Sequence, residues 1–225
     1  MTAGDVARRL AEVRARVERA CERVGRDPAA VRLVAVSKAH GPEAVRAAHA
    51  AGQRDFGESY VQELAGKAPA LADLGDLRWR FIGHLQRNKA KQVVTIARAV
   101  ESIDSARLAE ELDKRAAAEG ARIEILLQVS VGGEAQKSGC APSELASLVA
   151  TVRALPTLDL RGLMTVPPHT DDPEGARPFF RTLRELAERH GLAELSMGMT
   201  HDLEVAIEEA ATIVRVGTAV FGERR

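Results

Sequence analysis

The stretch VRLVAVSKAHGPEAVRAAHAAGQRDFGES, residues 31–59, decides the fold. It opens with an apolar, partly β-branched run, Val31 to Ser37, takes up a helical period over 43–51, and returns to a short apolar run at Arg54 to Gly57. A helix between two such runs is the signature of parallel strands joined by a crossover. The alternation continues outward. Further candidate strands lie at Trp79 to Gly83, Ala99 to Asp104, Ile123 to Val131, Leu158 to Val166, Leu195 to Met199 and Ile213 to Val216. Helical stretches at 59–73, 87–98, 105–119, 142–154, 174–190 and 202–211 separate them. Ahead of all this, residues 3–24 place Val6, Leu10, Val13, Val17, Ala20, Cys21 and Val24 mostly three or four apart, one apolar stripe on a helix that Gly25 and Pro28 end.

Eight strands with seven intervening helices predict a (β/α)8 TIM-type barrel forming one domain over residues 1–225, its extra N-terminal helix standing where the last outer helix is missing. A doubly wound open sheet is the competing architecture. The 225 residues carry 32 basic and 32 acidic side chains and so no net charge, which argues against nucleic acid or an anionic membrane as partner. No run approaches the roughly 18 apolar residues of a membrane span, and the charged N-terminus is unlike a signal peptide, so a cytoplasmic location is expected. Cys21 in a helical pattern and Cys140 in a Gly-flanked turn read as free thiols, with neither a disulfide nor a metal cluster. Six lysines stand against 26 arginines, so each lysine merits individual attention.

In a barrel of this kind the active groups sit where strands end. Lys38 closes an otherwise apolar strand. Partial desolvation there lowers an amine's pKa and suits it to a Schiff base with a carbonyl compound, the alternative being a lysine that snorkels to water. Thr200-His201-Asp202 opens the helix after strand seven, and Gly217-Thr218 follows strand eight. Backbone N–H groups at such turns form a phosphate cradle; a plain helix cap and a plain turn are the alternatives. Closure of the barrel makes strands one and eight neighbours, which brings amine and cradle together. Arg215, two residues before Gly217, shares its strand face; beside a pyridine nitrogen it would donate a hydrogen bond and keep that nitrogen unprotonated. His84 after strand three is a candidate contact or a structural histidine. The basic run Arg87 to Lys91 is either an anion site or a solvated helix face.

With these residues assembled, the sequence resembles the pyridoxal phosphate homeostasis family, relatives of the alanine racemase barrel domain. The resemblance rests on Val-Ala-Val-Ser-Lys (34–38), Phe-Gly-Glu-Ser-Tyr-Val-Gln-Glu (56–63), Phe-Ile-Gly-His-Leu-Gln-Arg-Asn-Lys (81–89), Arg-Gly-Leu-Met (161–164), Ser-Met-Gly-Met-Thr-His-Asp (196–202) and Val-Arg-Val-Gly-Thr-Ala-Val-Phe-Gly (214–222). It implies pyridoxal 5'-phosphate (PLP) joined to Lys38 as a Schiff base, its phosphate held by Met199, Thr200, Gly217 and Thr218, and Arg215 facing the ring nitrogen. Ser59 and His84 complete the implied cofactor contacts. Ser59 and Ser130 stand where the family commonly has Asn, and Thr200 where it usually has Ser. Glu134, Lys137 and Gly139 match a family loop with no physical role assigned. The resemblance implies a cytoplasmic, monomeric carrier or regulator of the cofactor, with apo-PLP enzymes as recipients and no catalytic residue. Racemisation needs a base on each face of the α-carbon, and Lys38 is one; the partner subunit's tyrosine that serves alanine racemases lies in an extra domain, for which Tyr60, the only tyrosine, is no substitute. A PLP-dependent racemase is the first alternative, and a cofactor-free Schiff-base aldolase the second.

Overall fold

The structure is a computed structural model that describes residues 2–132 and 138–223. The first helix, α1 (Ala3–Arg23), is started by Thr2, whose hydroxyl accepts from the Asp5 N–H at 3.2 Å while the Asp5 carboxylate accepts from the Thr2 N–H at 2.9 Å. Of its stripe, Val6, Leu10, Val13, Val17, Ala20 and Cys21 are buried as the spacing predicts, whereas Val24, the residue that caps the C-terminal end, has left the helix and is exposed.

Eight strands then close in chain order into a parallel barrel: β1 (Arg32–Val36), β2 (Asp55–Glu58), β3 (Arg78–Phe81), β4 (Ala99–Ile103), β5 (Ile123–Gln128), β6 (Leu158–Met164), β7 (Glu194–Ser196) and β8 (Ile213–Val216). The outer ring is α2 (Pro42–Ala50), α3 (Val61–Ala70), α4 (Ala90–Val94), α5 (Ala106–Ala118), α6 (Leu145–Arg153), α7 (Arg177–Arg189) and α8 (Leu203–Glu208), with a single turn, α9 (Thr218–Phe221), after β8. The closed barrel settles the architecture against the open sheet. α1 packs on α8, α2 and α9, and so fills the gap in the ring. Arg26, just past its end, donates to the Ile207 and Ala211 carbonyls at 2.7 and 2.9 Å, satisfying the C-terminal end of α8. Among the described residues no helix is long and apolar enough to cross a membrane.

The main core lies between strands and helices. A second cluster, Val34, Leu126, Met164 and Ile213, comes from β1, β5, β6 and β8 with no helix, which places it inside the barrel. Inside also runs a column of charge, Arg80, Glu101 and Arg215, all buried. Several predicted strands stop short of their apolar runs: β5 ends at Gln128, β6 at Met164 and β7 at Ser196. The residues beyond leave the ladder to build the mouth.

One position fixes the register of β6. The pairing slips between Ile125 with Leu160 and Leu126 with Gly162, and a Cβ on Gly162 would lie 1.8 Å from the Glu194 carbonyl oxygen. Backbone cannot yield as a flexible side chain does. Gly162→Ala is expected to cost about 1–3 kcal/mol, read as a lower urea midpoint at unchanged m-value.

Candidate cofactor site

The site is built where the barrel closes. β1 and β8 pair with Ala35 opposite Val216, so the residues that follow, Ser37-Lys38 and Gly217-Thr218, leave the sheet side by side. Contact is close: a Cβ on Gly217 would stand 3.2 Å from the Val36 carbonyl oxygen. Lys38 is half-buried and lies in the turn two residues beyond Val36, the last residue of β1.

Across from it, the turn after β7 meets α9. The Thr200 hydroxyl accepts from the Ala219 N–H at 3.4 Å, joining the two turns. The backbone N–H groups of Thr200, Gly217 and Thr218 make no hydrogen bond among the described residues. Met199 differs: its N–H donates to Asp202 Oδ1 at 2.6 Å, and its side chain is exposed, so it shapes the turn with an amide already committed. α1 holds this turn from outside, Arg16 donating to the Thr200 carbonyl at 2.9 Å and to both Glu204 oxygens at 2.6 and 2.8 Å.

Below the mouth, Arg215 is 4% exposed. It donates to Ser196 Oγ at 2.6 Å and to the Thr165 carbonyl at 2.8 Å; Ser196 in turn donates to Glu101 Oε2 at 2.5 Å, and Arg80 closes the relay on Glu101 Oε1. Burial alone would raise the Glu101 carboxyl, but the Arg80 and Arg215 charges and the Ser196 hydroxyl outweigh it and hold Glu101 below its ordinary value. Burial lowers the Arg215 guanidinium, with Glu101 and Asp202 opposing, yet a guanidinium starts so high that it stays charged at neutral pH. Two of the five N–H donors of Arg215 are engaged in these bonds, which leaves donors for a ligand. Ser196 couples the two charges. Ser196→Ala is expected to cost about 1–3 kcal/mol, seen as a lower thermal midpoint, because Arg215 and Glu101 each lose a buried partner.

A second cluster surrounds the exit of β1. Ser37 Oγ donates to Glu58 Oε1 at 2.6 Å, and the buried Lys67 ammonium donates to the Ser37 carbonyl, Glu58 Oε1 and Glu63 Oε2 at 2.8, 2.7 and 2.7 Å. Ala39 follows with φ of 64°, a left-handed backbone worth about 1–2 kcal/mol of strain outside glycine.

Ser59 and His84 lie on the far side of β1, after β2 and β3, and share a small pocket of about 180 Å³ with Tyr60 and Lys89. His84 is exposed, its Nδ1 3.8 Å from Asp104. Lys89 sits in a short 3-10 turn, Arg87–Lys89, ahead of α4. Ser130 is half-buried and donates its N–H to the Cys140 carbonyl at 3.0 Å. Glu134 and Lys137 lie outside the described residues. Cys21 and Cys140 are buried free thiols, and desolvation pushes Cys140 up to about 11, away from nucleophilic use at neutral pH.

Sequence reasoning passed over Glu101, Ser196, Glu63 and Lys67. The signals were present. Glu101 is an acid within the apolar run Ala99 to Ile103, and Lys67 occupies the stripe of Val61, Leu64 and Leu71 in a chain poor in lysine.

Known proteins resemble this chain in sequence and fold. Residues 9–225 match the family of the alanine racemase N-terminal domain. A pyridoxal phosphate homeostasis protein of Pseudomonas aeruginosa is 48% identical over 221 residues, 97% of this chain and 96% of the relative. PipY of Synechococcus elongatus, whose structure has PLP bound, is 37% identical and superposes with a TM-score of 0.86 over 96% of this chain and all of PipY. Alanine racemase of Corynebacterium glutamicum, 18% identical, shares the barrel alone, with a TM-score of 0.68 over 98% of this chain and 61% of the racemase. The chain therefore belongs to the alanine racemase N-terminal domain family and, within it, groups with the pyridoxal phosphate homeostasis proteins.

Proposed function

We propose that this chain is a single PLP-binding barrel that holds the cofactor through Lys38 and serves as an intracellular carrier or regulator of it, without turnover of its own. When bound, PLP supplies an aldehyde that condenses with a lysine amine and a ring nitrogen whose protonation strengthens electron withdrawal. The residues present fit that group. Lys38 follows the exit of β1, next to the Gly217-Thr218 turn along the β1–β8 seam, and Thr200, Gly217 and Thr218 would offer backbone N–H groups to a phosphate, with Met199 shaping the turn of Thr200. Gly217 lets the chain approach closely. The remaining donors of Arg215 suit a ring nitrogen, and an arginine that keeps its own proton leaves that nitrogen without one, which weakens carbanion chemistry. Ser59 and His84 belong to the β2–β3 side of the same rim and serve as peripheral contacts.

The observation that carries this reading is the adjacency of Lys38 and the Gly217-Thr218 turn across the β1–β8 seam. PLP bound to PipY supports it. For racemisation, Lys38 supplies one base; Tyr60, the only tyrosine, is exposed at the start of α3 and is given no part as a second. The test is titration of apoprotein with PLP followed by addition of an apo-PLP enzyme. Monomeric protein developing a near-visible band and passing the cofactor on, with no exchange of the alanine α-proton, is the expected result. Exchange that depends on Lys38 would make the chain a racemase, and protein that never takes up PLP would leave the aldolase reading.

A further inference from the structure

We infer that Lys67 is a positioning residue for Lys38: together with Glu63 it fixes the two peptide groups that flank the cofactor lysine. The inference rests on the reading of Lys38 as the attachment point. Its own ground is geometric. All three donors of the Lys67 ammonium, which is 7% exposed, are used, one of them on the carbonyl of Ser37, the residue before Lys38. Glu63 Oε2, which accepts from Lys67, also accepts the N–H of Ala39, the residue after Lys38, at 2.8 Å. The peptides on both sides of Lys38 are thus tied to one ion pair carried by α3, its lysine buried and its glutamate half-buried. The Ser37 carbonyl takes a further bond from the His40 N–H at 3.0 Å, closing the turn.

Two features separate this arrangement from a pair that merely stabilises. Ala39 holds φ of 64°, which an alanine keeps only where its surroundings impose it, and the Glu63 carboxylate is the group that grips its N–H. Glu58 Oε2 is buried with no hydrogen-bond partner among the described residues, a cost that an apolar packing of the same space would avoid. The cluster keeps a strained backbone in place at the lysine that has to meet an aldehyde. An amine so placed reacts without first searching for its geometry.

The test is the rate at which the near-visible band grows when PLP is mixed with folded apoprotein, for wild type, Lys67→Met and Lys67→Met with Ala39→Gly. Lys67→Met is expected to slow attachment about 10- to 100-fold, the scale of an ångström of misplacement. Ala39→Gly, which accepts the left-handed backbone without strain, is expected to restore part of that rate in the double variant. An unchanged rate in Lys67→Met overturns the inference; so does a slowed rate that Ala39→Gly leaves unimproved, which would assign Lys67 to packing alone. Should Lys67→Met fail to fold, Glu63→Ala decides instead: slower attachment supports the inference and wild-type attachment overturns it. Wild-type protein that forms no band brings down the reading of Lys38 itself, a failure visible before any variant is made.

Discussion

Glu101→Ala is expected to lower the melting temperature by roughly 6–20 °C, the equivalent of about 3–5 kcal/mol. The carboxylate is fully buried between Arg80, on one oxygen, and Ser196 with Arg215 behind it on the other. Its removal takes away the counter-charge that two buried guanidinium groups share and leaves Arg80 only its longer pairs with Glu124 and Glu194, at 3.6 and 4.0 Å; a buried charge that loses its nearest partner costs far more than a pair contributes. The effect carries a pH signature. The folded-state pKa of Glu101 is depressed below its unfolded value, so its contribution is complete above the ordinary carboxylate range and is lost as pH falls through the folded value. The gap in melting temperature between wild type and Glu101→Ala is therefore expected to be wide at neutral pH and to narrow as pH falls below the ordinary carboxylate range. A gap that stays constant across that range would assign the loss to the cavity and not to the charge.

Lys38→Ala is expected to fold as wild type does and, with stoichiometric PLP, to form no near-visible band that stays with the protein on gel filtration. Lys38 lies in the turn after β1 and is half-buried, so truncation leaves the strand ladder and the core untouched. What is lost is the amine. On the proposed reading Thr200, Gly217, Thr218 and Arg215 would still hold phosphate and ring without a covalent link, so the cofactor is expected to leave the variant on gel filtration while it stays with the wild type. Equal melting curves with complete loss of the band separate a chemical role from a structural one.

Much of the fold was readable because each strand announces itself locally. The run Val31 to Ser37 is followed by the charged Lys38, and the stripe of α1 ends at glycine and proline, so neither needs a distant partner to be recognised. The 87–98 region was less legible: it predicts one helix, and the structure has a 3-10 turn over Arg87–Lys89 and a short α4 ending at Val94. Val93, Val94, Thr95 and Ile96 are β-branched and crowd a helical backbone, which favours the early stop. At the site, Lys38 and the Gly217 turn could be joined from sequence because a closed barrel makes its first and last strands neighbours. The relay beneath them could not. Arg80, Glu101, Ser196 and Arg215 lie on β3, β4, β7 and β8, and only the register and tilt of those strands bring them within hydrogen-bond reach. Lys67 was equally hidden, since its bonds to Ser37 and Glu63 exist only once α3 docks on the exit of β1. Met199 shows the converse: its place in a motif did not reveal that Asp202 had taken its amide.

Attachment of PLP at Lys38 is tested by mixing the wild-type protein with PLP, reducing with borohydride and mapping the modified peptide by mass spectrometry. One reduced pyridoxyl adduct is expected, on Lys38. An adduct on Lys67 or Lys89 in its place, or no adduct on any lysine, would contradict it.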